Sequence, residues 1–399
     1  MKWFKRRTPA RVAALGALVA TAVGMPILLS SAADDRDITE LVPAGGDETA
    51  ATRQDPNAMI TDGESSADKA GPTTVPAETS VPGDGTDDIV TAGSCIVGAP
   101  NTPGTADPWG GCWPGPQNTG YPQGLPGDGR TPVTLAEYAG PMEITSCGVV
   151  IDAARVNGDL IIAAGNGTHS PDTPCVTITN SLVRGTIHTD SINHGPVVIK
   201  DTEVAVQGSA YWANVGFYNT FDWRVNSHGG HGTIKCQAFC ESHDSWVHGM
   251  HLEQEFHYNA FGGNGIESAD GYFVIDHGYA DCGGFASSSS PGDDAGCSAG
   301  IGFYGDFAPI RNITISNTYF APAASSGPYS RAQPGYCYNV GNYPGKAYPT
   351  VSNVKVTNNV FAKGPTGHCG YYGAVSEWNS GNGNVWSGNK WDDGTAINP

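Results

Sequence analysis

The chain has 399 residues, of which 20 are Lys or Arg and 39 are Asp or Glu, for a formal net charge of −19. A surface this acidic repels nucleic acid and anionic lipid head groups, so no nucleic-acid partner is expected. Ten cysteines in an even count point away from a reducing compartment.

The first 33 residues hold Lys2, Lys5, Arg6, Arg7 and Arg11 and no acid, followed by an almost purely apolar run from Val12 to Leu29. Ser30-Ser31-Ala32-Ala33 then offers small residues for cleavage. This is the layout of an export signal. The apolar run also approaches the ~17–25 residues that span a bilayer, so a cleaved signal peptide and a retained N-terminal membrane anchor both fit. In either case the basic head stays inside and the rest is expected outside the cytoplasm, secreted or tethered. Any membrane contact would run only through that uncleaved segment. Residues 34–94 are rich in Asp, Glu, Gly, Pro, Ser and Thr, without a sustained apolar period. Such a stretch cannot bury enough surface to offset its ordering entropy and reads as a disordered acidic linker. The part from Cys95 onward keeps 25 acidic against 12 basic residues, a net charge of −13.

From Cys95 the texture becomes short β-branched bursts separated by Gly, Asn, Asp and Ser, with no long run at helical period. Aligned, the bursts share a pattern of alternating apolar and polar residues, then Asn or Asp, then usually a small residue, then another apolar one. Val176-Thr-Ile-Thr-Asn180, Val197-Val-Ile-Lys-Asp201, Tyr272-Phe-Val-Ile-Asp276, Ile313-Thr-Ile-Ser-Asn317, Val354-Lys-Val-Thr-Asn358 and Val385-Trp-Ser-Gly-Asn389 are the clearest copies. Weaker ones centre on Asn157, Asn226 and Asp244. Successive markers lie 23, 21, 25, 18, 32, 41, 41 and 31 residues apart. A floor near 20 with variable additions is the signature of a solenoid with loops inserted on one face. Asn and Asp recur because a coil corner takes the left-handed backbone conformation that they tolerate. An antiparallel β-sandwich explains the glycine-rich turns but not the recurring marker. The expected fold is all-β, a right-handed parallel β-helix over 95–399 in a single domain.

Sequential pairing is the economical guess for the cysteines: Cys95 with Cys112, Cys147 with Cys175, Cys236 with Cys240, Cys282 with Cys297, and Cys337 with Cys369. The last pair occupies matching places in two successive repeats, and neighbouring coils ~4.8 Å apart suit a disulfide. Zinc is the rival reading for Cys236-x₃-Cys240, with His231 or His243 beside it.

Ser227-His-Gly-Gly230, Cys236 to Cys240, Asp244-Ser-Trp-Val-His-Gly249, His257-Tyr-Asn-Ala260, Tyr304-Gly-Asp-Phe-Ala-Pro-Ile310 and the closing Gly383 to Gly394 together carry a resemblance. They are similar to exported right-handed parallel β-helix repeat proteins of actinobacteria, within the broad pectate-lyase-like superfamily. The resemblance covers about residues 118–394 and implies the fold; the wider superfamily implies carbohydrate-active lyases and hydrolases. Polygalacturonase motifs match only in Gly230-His231-Gly232 followed by Thr233-Ile-Lys235, and the Asn-Thr-Asp and Asp-Asp that should precede them are absent. Asp293-Asp294 falls later, in a Ser/Gly loop. The clustered calcium-binding acids and basic residue of a pectate lyase are likewise incomplete.

Chemistry is expected on the coils with long insertions, between Asp244 and Asn389. Seven of the 11 histidines, His228, His231, His243, His248, His251, His257 and His277, fall within 50 residues, and imidazole titrates near neutrality. His228 and His257 are candidate proton-transfer groups, and Asn259 a substrate-orienting one. Asp244, Glu255 and Asp306 are candidate acids or Ca²⁺ ligands. Phe261, Tyr304, Tyr338 and Tyr372 would, if stacked, give an aromatic strip against which sugar rings pack; a stack filling the bore is the alternative. Two functions follow: a polysaccharide lyase or glycoside hydrolase, or a non-catalytic glycan-binding or structural cell-surface protein. The expected partner is a polysaccharide or cell-surface glycan, Ca²⁺ the one cofactor to consider, and the protein a monomer.

Overall fold

The computed structural model describes residues 95–399, apart from 208–212, 232, 253–256, 287–295, 329 and 331. The signal-like segment, the acidic linker, Glu255 and Asp293-Asp294 lie outside the described residues. Within them the chain winds as a right-handed parallel β-helix whose strands form three long sheets of nine, ten and nine strands. Each coil contributes in turn to sheet I, sheet II and sheet III. Val176–Thr179, Leu182–Val183 and Ile187–Thr189 make one coil, and Val197–Lys200, Glu203–Val206 and Val215–Gly216 the next. Every pairing within the three sheets is parallel, for example Val176 on Val197 and Ile178 on Ile199.

The corner from sheet I to sheet II explains the marker. A left-handed residue sits there in each coil: Ala153, Asn180, Asp201, Arg224, Asp244, His277, Asn317, Asn358 and Gly388. Asn180, Asp201, Asp244, Asn317 and Asn358 are the corner residues expected. In the other coils the corner lies one or more residues away from the marker: His277 takes it rather than Asp276, Arg224 rather than Asn226, and Gly388 rather than Asn389. Those markers act through their side chains instead. Asp276 Oδ1 accepts a hydrogen bond from Asn317 Nδ2 at 2.8 Å. The small residue after the corner forms a buried ladder: Ser245 Oγ accepts from Val225 N, Thr318 Oγ1 from Gly278 N, Asn359 Oδ1 from Thr318 N, and Asn389 Oδ1 from Asn359 N. Backbone donors at the turn would otherwise be buried unpaired.

Inward residues follow strand period. Val176, Val197, Ile313 and Val354 stack in one column of sheet I and Ile178, Ile199, Ile315 and Val356 in another, all fully buried. Each such side chain contributes about 1.5–3 kcal/mol. The five disulfides join the pairs expected from sequence order, including Cys236–Cys240. Cys337 and Cys369 lie 6.0 Å apart between Cα atoms. Five disulfides fit an oxidising, extracellular environment.

Two additions decorate the helix. Residues from Cys95 to Arg130 lie over the corner of sheets I and II. Trp113 is fully buried and packs on His277, Tyr279 and Tyr319, and Arg130 pairs with Asp128 and Asp201. The long insertions fall between sheets II and III in the C-terminal half, where Met250–Leu252 and Gly284–Ala286 add a two-stranded ladder.

Candidate functional site

Sheet III in the C-terminal half brings together three of the residues singled out from sequence. The strand His257–Gly263 pairs with Gly296–Phe303, with a register shift between Tyr258 and Asn259. His257, exposed at the strand's start, meets Ser298 Oγ through Nδ1 at 2.8 Å. Ser298 also stands in side-chain hydrogen-bond contact with Tyr304, whose hydroxyl donates to Asn259 Oδ1 at 3.3 Å. Asn259 is 2% exposed. The result is a connected set running from solvent inward: imidazole, hydroxyl, phenol, carboxamide. Gly302 makes it possible. A Cβ there would lie 2.2 Å from Asn259 Oδ1 and 3.1 Å from the Tyr304 hydroxyl.

Burial raises the Tyr304 phenol well above its ordinary pKa, against the pull of Ser298 and Asn259, so it stays protonated at all working pH. Lys346 Nζ lies over its ring, 5.7 Å from the centroid, and pairs with Asp306 at 2.9 Å. In the loop after the next strand, Tyr336–Val340, Tyr343 donates to Asn339 Oδ1 of that strand and lies 3.3 Å from Ser376 Oγ. On the other side Lys235 pairs in register with Gly262, which carries no side chain to cover it. Desolvation pushes the Lys235 amine down to about 8.

Aromatic rings flank this face. Tyr372 (59% exposed) tilts against Tyr336 at 5.7 Å and meets Tyr371 edge-on at 4.9 Å. Phe307 (64% exposed) and Tyr348 (41% exposed) project from loops that leave sheet III, tied by Phe307 N to Asn264 O and Tyr348 N to Gly305 O. Sequence reading missed Phe307, Tyr348, Ser298 and Tyr343. The first two stand in irregular loops with no repeat to align. Ser298 matters only because the strand register sets it beside His257.

Other expectations are corrected. Phe261 and Tyr338 offer no face to a ligand: they share an inward column with Ile234 and Ile301, all fully buried. The four-ring strip therefore does not form; two of its rings fill the bore and two remain near the surface. Asp244 is a corner residue, bonded to His277 Nδ1 at 2.6 Å, while His277 Nε2 reaches Asp107 at 3.1 Å. It belongs to the seat of the N-terminal segment. Asp306 is tied to Lys346, and among the described residues no three His, Cys, Asp or Glu side chains stand together as a metal site. His231 of the Gly-His-Gly is buried against Tyr258, and desolvation holds its pKa well below the ordinary value.

His228 does not join His257. It lies on the outer face of sheet II, where its Nε2 meets Glu203 Oε1 at 3.0 Å and its ring stacks on His248 at 5.1 Å. His248 in turn stacks on Trp246 and bonds Asn226 Oδ1. Desolvation, with His228 beside it, lowers His248 to about 3.

Comparison with protein-family models, with curated proteins and with solved structures finds no match for this chain.

Proposed function

We propose that this chain is an exported polysaccharide-active protein, of the pectate-lyase-like kind its motifs resemble, with its site on the outer face of sheet III. The observation that carries the reading is the linked set His257–Ser298–Tyr304–Asn259 beside exposed rings. Its described acid–base groups are an imidazole and a protonated phenol. A glycoside hydrolase would need two carboxyls ~5–10 Å apart across the bond, and the linked set contains none. Elimination at a uronic acid suits it better. In that reaction His257 takes the proton alpha to the sugar carboxylate, the electron pair forms the double bond, and the C–O bond to the leaving sugar breaks. Tyr304 supplies the proton to the departing oxygen. Lys235 offers a cation for the sugar carboxylate, and Asn259, buried behind Tyr304, accepts from its hydroxyl and holds the phenol in place.

The test is incubation of the purified protein with uronic-acid and neutral polysaccharides, with and without EDTA. The expected result is new ultraviolet absorbance from unsaturated products on a uronate polymer. New reducing ends without that absorbance would replace elimination by hydrolysis. No product of either kind, with retention on a glycan array, would replace catalysis by binding. That second reading rests on the mutual pairing of Asp306 with Lys346 and Tyr343 with Asn339, which leaves a satisfied polar surface framed by rings.

A further inference from the structure

Among the described residues, the inward columns of sheet I are apolar except in one place. In sheet I, Thr220 stacks on Val197 and Asp222 on Ile199. In the next coil Ser242 stacks on Asp222, and Ile275 follows it. Thr220, Asp222 and Ser242 thus occupy positions that are Val or Ile in neighbouring coils, and each is at most 1% exposed. Ser227 takes the equivalent inward place in sheet II, between Val204 and Val247. Thr220 Oγ1, both carboxyl oxygens of Asp222 and Ser242 Oγ are buried without a well-aligned hydrogen bond among the described residues, the Ser242 hydroxyl standing near enough to the Asp222 carboxyl to pull on it but not closing a bond of good geometry. Four such buried oxygens on two adjacent coils of a close-packed core would cost several kcal/mol if nothing met them, whereas a buried water typically takes two to four such partners.

We infer that this polar island is an internal hydration site, holding ordered water between Asp222, Thr220 and Ser242, and that it makes the stability of the helix depend on pH. The charged groups around Asp222 do not neutralise it. On the adjoining strand Glu241 and His243 alternate outward with Ser242 inward, and His243 is engaged by Glu241 at 3.1 Å. Lys200 on the preceding strand also points outward, over the Trp223 ring. In the same coil Lys235 lies on the outer face of sheet III and His228 on that of sheet II, while Ile234 and Ser227 face the bore. Desolvation accordingly drives the Asp222 carboxyl up to about 7, against the smaller pull of Ser242 and His243. A carboxyl raised in the folded state stabilises while protonated. Its contribution is full below the ordinary value of 3.8 and is lost as pH rises through about 7.

The experiment is thermal and denaturant unfolding of the full chain from pH 5 to pH 8, compared with Asp222→Asn. Between these limits the wild-type folding equilibrium is expected to fall roughly hundredfold relative to the variant. Parallel pH profiles for the two proteins would overturn the inference. Ser242→Ala keeps the test open if Asp222→Asn does not fold. Removing that hydroxyl is expected to move the wild-type transition to higher pH, and an unmoved transition counts against the inference. A crystal structure must show density within hydrogen-bond reach of Asp222 and Ser242; a dry, contracted island would refute the hydration site.

Discussion

The outer faces of sheets II and III carry similar side chains and put them to different uses. Both have histidine, aromatic rings and half-buried polar groups. On the side of sheet II the residues from Cys95 to Arg130 close over the corner. Trp113 is buried there, the Tyr279 hydroxyl donates to Asn101 O at 3.0 Å, and His277 bridges Asp107 and Asp244. On sheet III, Tyr372, Phe307 and Tyr348 stay exposed beside the linked His257 set. Histidine and tyrosine therefore do not mark a site by themselves. What separates a clamp from a candidate site is whether another segment of the chain has already taken the surface.

The contrast breaks most sharply under mutation of the linked set. On whichever polysaccharide is turned over, His257→Ala and Tyr304→Phe are expected to lower kcat by ~10²–10⁴-fold, since each removes a proton-transfer group. His228→Ala should leave kcat within a few-fold of wild type. Steady-state kinetics on the three variants measures this, and equal losses at His228 would move the site to sheet II.

Next in size is the clamp. Trp113→Ala is expected to destabilise the protein by about 3–5 kcal/mol without changing kcat of the surviving folded fraction, because it empties a buried ring site. Urea unfolding followed by activity at low denaturant checks both halves.

A pH series sharpens the comparison further. Desolvation opposes charge on His277, but the hydrogen bonds and charges of Asp107 and Asp244 win and raise it to about 9. A raised histidine gives its full stabilisation below the ordinary 6.5 and loses it as pH climbs through about 9. The expected loss is up to about 3 kcal/mol at ~1.4 kcal/mol per unit. His277→Gln should flatten the Tm profile between pH 6 and pH 10; an unchanged slope would show that the bridge carries no net energy.

The smallest effect belongs to the exposed rings. Tyr372→Ala is expected to raise KM by a few-fold, about 0.5–1.5 kcal/mol, with kcat and Tm unaltered. Isothermal titration with product oligosaccharides reads the same loss as weaker binding.

Periodicity carried the fold, because each coil must repeat the same inward pattern to stack on the last. Val176-Thr-Ile-Thr-Asn180 and its copies revealed that pattern and several corners without any structure. Cysteine order likewise foretold the five bridges, since each joins partners no more than 32 residues apart, within one segment, one coil or two successive coils. Asn259, His257 and Tyr304 were legible as polar or aromatic residues on insertion-bearing coils. Their linkage was not, since it depends on a register shift after Tyr258 and on the bare Cα of Gly302. Nor did the chain order say that Phe261 faces inward, that Asp244 lies beneath the N-terminal segment, or that Asp222 stands inside the bore. Sequence alone determined that this chain coils and where it turns, because those are local preferences repeated many times. The tertiary structure decided which side chains meet and which are covered, because those depend on single departures from the repeat and on segments far apart in the chain.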